Sequence, residues 1–291
     1  MSGFPRTTVG GVSLSRMIVG TNWFLGFSHC TKAKSDFIKE HFSDAKKIAD
    51  ILEVFFRAGV DTIMGPSQFP ALFSAIKEAQ DRTGVKAIFV STPGFPTTPR
   101  TPIDGFDAGE VEKILDEEVA QGATFCMPHT SVTDKMVDRC TREIRQFDVL
   151  CKMIRQRGLH PGLSTHLPEA IVYADETNLD VDTYISMYNA MGFLMPIEVD
   201  WVTRLIRKAK KPVMTIKPMA AGQLRPLQGL SFVWNTIRDK DMVTVGTMTP
   251  AEAAELIELS LGILEKRQSN VALQETRSKD TVKPRQAAAK R

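Results

Sequence analysis

Short apolar segments alternate with longer segments of helical periodicity, and this alternation constrains the fold more than any other feature. It recurs from residue 16 to residue 266 and is typical of a parallel sheet whose strands are connected by helices. Eight segments are predicted to be strands, the number that closes a single (β/α)8 TIM barrel. The predicted strands are 16–21, 60–64, 86–91, 123–127, 160–164, 182–187, 212–217 and 242–246.

The predicted helices between these strands have recognisable ends. Ser43, Asp107 and Thr249 are residue types that cap a helix N-terminus, and they precede helical segments. Four helices end at a glycine directly before the next strand, where glycine supplies the left-handed conformation that ends a helix. These glycines are Gly59, Gly84, Gly122 and Gly158. An open doubly wound sheet is the alternative, but no GxGxxG turn follows the first strand, so the barrel is favoured.

Three segments lie outside the repeat. Residues 7–14 are predicted to form a β-hairpin that turns at Gly10 and Gly11 and closes the lower end of the barrel. Residues 92–106 contain four prolines and are predicted to be a loop over the upper end. Residues 266–291 are predicted to be a flexible tail after a barrel domain of residues 1–265.

Composition excludes several protein classes. The 291 residues have a net charge of +3. Residues 266–291 carry eight basic and two acidic residues, so the preceding residues are mildly acidic and a nucleic-acid partner is not expected. No apolar segment approaches the roughly 18 residues that span a bilayer. Four cysteines without a CxxC pair favour a reduced, cytoplasmic protein. The expected partner is a small-molecule substrate. No oligomeric state follows from the sequence.

Two histidines follow neighbouring predicted strands at the end where barrel enzymes place their active sites. His129 and His166 follow the fourth and fifth strands and could relay protons or hold a divalent metal. Each could instead only hydrogen-bond a loop carbonyl. No third metal ligand lies at an obvious strand end. His29 and His41 follow the first strand and are interpreted as surface groups, although a loop histidine can fold over a site.

The last two strands are followed by residues that suit an anion. Lys217 ends the seventh strand and is expected to hold an anionic group or, less readily, to form a Schiff base. Gly222 permits close backbone approach, and Thr247 and Thr249 precede a helix N-terminus that could bind phosphate. The same residues also suit an ordinary turn with an N-cap.

Amides and aromatic rings follow two further strands. Asn22 and Trp23 follow the first strand, and Tyr188 and Asn189 follow the sixth. These residue types bind polar, ring-shaped small molecules by hydrogen bonding and stacking, so all four are predicted to contact the substrate. Either pair could instead serve packing and loop capping.

The order of these segments resembles the aldo/keto reductase family. TTVGGVSLSRMIVGTNWF is similar to that family's hairpin and first strand, RAGVDTIMGPS to its second, and HPGLSTHLPEAI to its fifth. DVDTYISMYNAMG, KPVMTIKPMAAGQL and MVTVGTMTPAEAAELIE are similar to its last three strands. The resemblance covers roughly residues 7–265 and implies a (β/α)8 barrel.

The resemblance extends to only one of the family's four catalytic residues. The family's aspartate position falls on Met64, its tyrosine position near Phe69 and its lysine position on Pro93, while His129 matches its histidine. A phenylalanine cannot donate the proton that the tyrosine supplies. The family's NADP-phosphate ligands have no counterpart in VGTMTPAEAAE, although Ser164 and Asn189 match its amide-ring contacts.

We therefore expect a barrel of this type with other chemistry. The leading hypothesis is proton transfer of isomerase, epimerase or lyase type on a small carbohydrate-like or phosphorylated metabolite. His129 and His166 would act as acid and base, with or without a divalent metal, and Lys217 would hold the developing negative charge. The alternatives are an NADP-dependent oxidoreductase with an altered proton relay and a non-catalytic ligand-binding barrel.

Overall fold

The computed structural model describes residues 3–96 and 106–282. The parts of the predicted loop and tail at 97–105 and 283–291 lie outside the described residues. Twelve strands are described there: β1 Arg6–Val9, β2 Val12–Ser15, β3 Met17–Gly20, β4 Thr62–Gly65, β5 Ile88–Ser91, β6 Ala123–Cys126, β7 Val137–Asp138, β8 Glu143–Ile144, β9 His160–Thr165, β10 Thr183–Met187, β11 Val213–Ile216 and β12 Met242–Val245.

Ten α-helices and two 3₁₀ turns accompany these strands within the described ranges. The helices are α1 Lys32–His41, α2 Ala45–Arg57, α3 Pro70–Thr83, α4 Ala108–Ala120, α5 Thr130–Met136, α6 Phe147–Gln156, α7 Glu169–Glu176, α8 Val199–Lys208, α9 Pro226–Thr236 and α10 Pro250–Leu264. The 3₁₀ turns are Ala220–Gly222 and Arg277–Val282. None of the helices is both long and apolar enough to pass through a membrane.

Eight parallel strands close into a barrel in the order β10, β11, β12, β3, β4, β5, β6, β9. The (β/α)8 prediction is confirmed, and all eight predicted strands are present with ends that differ by a few residues. Asp107 and Thr249 cap α4 and α10 as predicted, whereas α2 is capped by Asp44 instead of Ser43. The helix α1 and the short β7–β8 pair were not predicted.

The barrel has an inner and an outer apolar layer. The inner layer consists mainly of strand side chains that point into the barrel, among them Ile18, Phe125 and Ile185. Val9 and Leu14 of the β1–β2 hairpin pack into this layer, so the hairpin closes the lower end as predicted. The outer layer lies between the strands and the helices and holds most of the buried apolar residues.

Residues after α10 pack back onto that helix. Arg267 forms an ion pair with Glu258 at 2.7 Å, and the backbone N–H of Asn270 donates to the same carboxylate at 2.6 Å. Val271 packs against the outer apolar layer. The first residues of the predicted tail are therefore attached to the barrel.

Candidate active site

A cavity of about 910 Å³ opens at the carboxyl ends of the barrel strands. Its wall includes seven of the ten residues that the sequence analysis assigned to a site: Asn22, Trp23, His129, His166, Lys217, Gly222 and Thr247. Met64 and Phe69 also line it. These apolar residues stand at the positions where the family that the sequence resembles has its aspartate and tyrosine. Its volume lies near the upper end of the range of about 300–1,000 Å³ for small-molecule sites.

His129 is held at the N-terminus of α5. Its backbone N–H donates to the carbonyl of Pro93 at 2.8 Å, which links it to the end of β5. Its Nδ1 accepts from the backbone N–H of Ser131 at 3.2 Å and lies 2.8 Å from Ser131 Oγ. Because Nδ1 accepts, the neutral ring carries its proton on Nε2 and can donate it.

His166 is positioned by Asp134, a residue that the sequence analysis missed. The Asp134 carboxylate accepts from Thr130 Oγ1 at 2.7 Å, from Thr165 Oγ1 at 2.5 Å and from the backbone N–H of His166 at 3.2 Å. The carboxylate thereby links α5 to the end of β9. These hydrogen bonds of Asp134 fix the position of the His166 backbone relative to the helix that begins after His129. The His166 ring itself has no hydrogen-bond partner among the described residues.

Lys217 follows β11 and adopts a left-handed backbone conformation with φ of 61°. Within residues 3–96 and 106–282 its ammonium group has no hydrogen bond or ion pair. Burial alone lowers the pKa of Lys217 to about 8. A partly buried cation that has no counter-charge among the described residues attracts anionic groups, so Lys217 can hold a developing oxyanion.

A third histidine, His29, also lines this cavity. His29 is exposed, as expected for a surface group, and its loop also brings it to the cavity wall. Burial lowers the pKa of His29, His129 and His166, and the charge of Lys217 lowers each pKa further. His41 bonds instead to the Met248 carbonyl through Nε2 at 3.0 Å. The upper end of the barrel thus combines three imidazoles, each with a lowered pKa, and one ammonium group.

The predicted roles of Tyr188 and Asn189 are not supported, because neither residue lines the cavity. Tyr188 is fully buried in the outer layer, where its hydroxyl lies 2.5 Å from Thr203 Oγ1 and its ring packs on Phe232. The Asn189 amide donates to the Phe193 carbonyl at 3.0 Å and accepts from the Phe193 N–H at 2.8 Å. Asn189 thus closes its own loop.

The predicted phosphate site at the start of α10 is already filled by a carboxylate. Glu252 accepts from the backbone N–H of Met248 at 2.7 Å and from Thr247 Oγ1 at 3.0 Å. Thr249 accepts from the Glu252 N–H at 3.1 Å and does not line the cavity. The N-cap interpretation of Thr249 is therefore correct, and the helix N-terminus is not free to bind phosphate.

Among the described residues, no group of three or more histidine, cysteine, aspartate or glutamate side chains is placed to hold a metal ion. The residues fit NADP only in part. Ser164 lines the cavity, but Asn189 does not. Glu252 and Glu255 of α10 line it and would repel a phosphate, whereas Arg225, at the start of α9, also lines it and would attract one.

Several solved structures with a similar fold are described as reductases or dehydrogenases. A protein from Pseudomonas aeruginosa described as an aldo-keto reductase has a TM-score of 0.63 and 14% identity, over 91% of this chain and 99% of that one. The glycerol dehydrogenase of Gluconobacter oxydans has a TM-score of 0.57 and 11% identity, over 93% and 99%. An aldo/keto reductase from Brucella melitensis has a TM-score of 0.57 and 10% identity, over 90% and 99%.

These likenesses establish the (β/α)8 barrel fold for this chain. No family model and no curated protein matches the sequence. Because one barrel fold supports many reactions, the fold does not select the chemistry, which has to be argued from the site.

Proposed function

We propose that the protein is an enzyme that moves a proton on a small polar substrate with a carbonyl group. The reaction would be of isomerase, epimerase or lyase type, and the substrate carbohydrate-like or phosphorylated. The observation that carries this proposal is that His29, His129, His166 and Lys217, which has no ion pair among the described residues, all line one cavity. Such groups transfer protons near neutral pH and stabilise an enolate.

The environment of each group suggests its role. His129 can donate its Nε2 proton toward the substrate carbonyl oxygen, because Ser131 occupies its Nδ1. The Lys217 ammonium would hold the negative charge that develops on that oxygen. His166, with a free ring, would take the proton from the adjacent carbon. Asn22 lies on the same wall and would orient hydroxyl groups.

Solvent-deuterium exchange tests this function. The protein would be incubated in D2O with D-fructose, D-psicose and their 6-phosphates, and proton NMR would follow exchange next to the carbonyl. We expect wild-type protein to catalyse exchange and His129→Ala/His166→Ala protein to lose it by a factor of at least about 100, a typical contribution of acid–base groups. Full activity of the double variant would refute the role of the histidines.

A nicotinamide-dependent oxidoreductase is the second candidate, because the fold is that of aldo-keto reductases and the cavity has room for a large ligand. No tyrosine serves as its proton donor, since Tyr173, Tyr184 and Tyr188 are all buried away from the cavity wall. Fluorescence titration with NADPH and NADH separates the candidates. Tight binding of either would favour the oxidoreductase. If neither nicotinamide binding nor proton exchange is observed, a non-catalytic ligand-binding barrel is favoured.

A further inference from the structure

The loop that begins with Lys217 holds a strained backbone at the cavity wall. Lys217, Ala220 and Ala221 have left-handed conformations, with φ of 61°, 48° and 56°. Such conformations are uncommon for residues with side chains and are retained where surrounding contacts enforce them. Here Cys30 Sγ donates to the Ala221 carbonyl at 3.4 Å, and the Ala220 N–H donates to the Lys217 carbonyl at 3.0 Å. From this backbone Lys217 lines the cavity.

The Lys217 amine has no competing partner among the described residues. Lys240 differs in this respect, because its Nζ donates to the Lys210 carbonyl at 2.9 Å and it lies outside the cavity wall. An amine has a free lone pair only when it is uncharged, and burial favours that form. With a pKa of about 8, roughly a tenth of Lys217 is uncharged at pH 7, on the order of a hundred times the fraction for a solvated lysine.

Groups that can carry protons stand within electrostatic reach of this amine. The charge of Lys217 lowers the pKa of His29, His129 and His166, so all three imidazoles lie near its ammonium group. In the described part of the chain the His166 ring makes no hydrogen bond, so it can take up and release a proton. An imine needs such a group to form, because the hydroxyl group of its precursor leaves only after it has been protonated.

The wall around the amine is largely apolar. Ile216 and Met219, close to Lys217 in sequence, line the cavity, and so does Trp23. A side chain at Gly222 would contact the Trp23 ring at 3.9 Å, so that ring lies beside the loop after β11. An apolar wall packs against an apolar ligand and excludes water, which protects an imine from hydrolysis.

We propose that Lys217 is the attachment site of an imine that forms with an aldehyde bound in the cavity. The chemical class is an aldehyde with an aromatic or other apolar group, because an aldehyde carbon is open to an amine and the wall offers rings and aliphatic side chains. This inference goes beyond the proposed function. That function uses the charged form of Lys217, whereas the imine forms from the uncharged one.

The step joins an amine to an aldehyde and releases water. The Nζ lone pair attacks the aldehyde carbon, a C–N bond forms, and the carbonyl π electrons move to oxygen. One proton passes from nitrogen to that oxygen, which gives a neutral carbinolamine. The imidazolium form of His166 then protonates the hydroxyl group, which leaves as water while the nitrogen lone pair forms the C=N bond. The neutral imidazole takes the remaining N–H proton, so nothing is oxidised or reduced.

Reductive trapping tests this inference with benzaldehyde as the probe. Sodium cyanoborohydride reduces an imine and spares an aldehyde near neutral pH, so it converts the imine into a stable benzylamine that peptide mass mapping locates. In wild-type protein at pH 7 we expect Lys217 to be labelled at least about 10-fold faster than any other lysine, because a far larger fraction of it is uncharged. Lys217→Met protein should lose this rapid labelling.

Lys34→Met is the matched control, because Lys34 Nζ lies 5.6 Å from the centre of the Trp23 ring but Lys34 does not line the cavity. This variant should be labelled at Lys217 as fast as wild type, and circular dichroism confirms that each variant is folded. Equal labelling of Lys217 and the exposed lysines would overturn the inference, as would rapid labelling of another lysine in Lys217→Met protein. Rapid labelling of Lys217 without the deuterium exchange described above would overturn the proposed function alone, and exchange without rapid labelling would overturn this inference alone.

Discussion

The two ends of the barrel differ in whether their partly or fully buried charges have partners. At the lower end, where the strands begin, Asp182 accepts from Arg155 at 2.8 Å and from His160 at 2.7 Å, and Asp241 pairs with Arg238 at 2.7 Å. At the upper end Lys217 is shifted by burial alone. Removing one member of a buried charge pair is costly, and a buried charge without a partner is itself retained at a cost in stability. In barrel enzymes the end that carries the carboxyl ends of the strands is the functional one, and here it carries the unpartnered charge.

Glu118 adds a second unpaired group just behind the upper end. It lies on α4 with its side chain fully buried, and Ser67, which follows β4, donates to Oε1 at 2.6 Å. Oε2 has no hydrogen-bond partner in the described part of the chain. Burial raises the pKa of Glu118, as expected for a carboxyl group without a counter-charge.

Breaking a paired charge at the lower end should have the largest effect on stability. Asp241 is fully buried and accepts from the Val213 N–H at 2.8 Å and from Arg238 Nε at 2.8 Å. Asp241→Asn should lower the free energy of unfolding by about 3–5 kcal/mol, because it leaves Arg238 without its counter-charge. Urea denaturation measures this, and Asp239→Asn, at an exposed neighbour, should have little effect.

Removing the unpaired cation at the upper end should stabilise the protein. Lys217→Met should raise the free energy of unfolding at pH 7 by about 1–3 kcal/mol, since one pKa unit corresponds to about 1.4 kcal/mol and the site is partly hydrated. Below a pH of about 8 Lys217 is charged in the folded protein, and the desolvation of this charge lowers the free energy of unfolding. Above it Lys217 deprotonates in the folded state before it does in the unfolded state, so wild-type stability rises and the gain shrinks.

Urea denaturation at pH 7 and pH 9.5 measures this difference, with exposed Lys208→Met as the control. A gain that is equal at both pH values would show that the methionine acts through packing instead of through removal of a charge. A loss of stability would show that Lys217 has a favourable partner.

Glu118→Gln should give the smallest effect, about 1 kcal/mol of stabilisation, comparable to the net cost of one unmade hydrogen bond. Because the pKa of Glu118 is raised, the folded state keeps a proton that the unfolded state releases, and wild-type stability falls as pH rises above the ordinary carboxyl range. The advantage of the variant should therefore grow from pH 5 to pH 8 in urea titrations. Exposed Glu117→Gln should show no such growth.

Periodicity was sufficient to predict the barrel, its hairpin and several helix caps, because these depend on local pattern and on burial. The alternation of side chains along β10 also indicates that Tyr188 points away from the barrel interior, which the sequence analysis did not consider. Tyr184 packs in the outer layer and Ile185 in the inner one, so strict alternation along β10 places Tyr188 on the outer face.

The missed parts of the site depend on tertiary contacts that no local pattern specifies. His29 reaches the cavity through a left-handed turn and a bond between loops 191 residues apart in sequence. Asp134 lies in the segment TSVTD and acquires its role only when α5 meets the end of β9. Glu252 suits an ordinary first-turn helix carboxylate, and the sequence does not reveal that it fills the predicted anion site.

The central claim is that the upper end holds a partly buried cation, Lys217, with no counter-charge in the described part of the chain. The most direct test is carbon NMR titration of the lysine side chains in wild-type protein, with the Lys217 signal assigned by its absence in Lys217→Met. The account predicts a midpoint at a pH of about 8 for Lys217. A midpoint near the unperturbed value of about 10.4 would contradict it, because it would mean that Lys217 is solvated or paired.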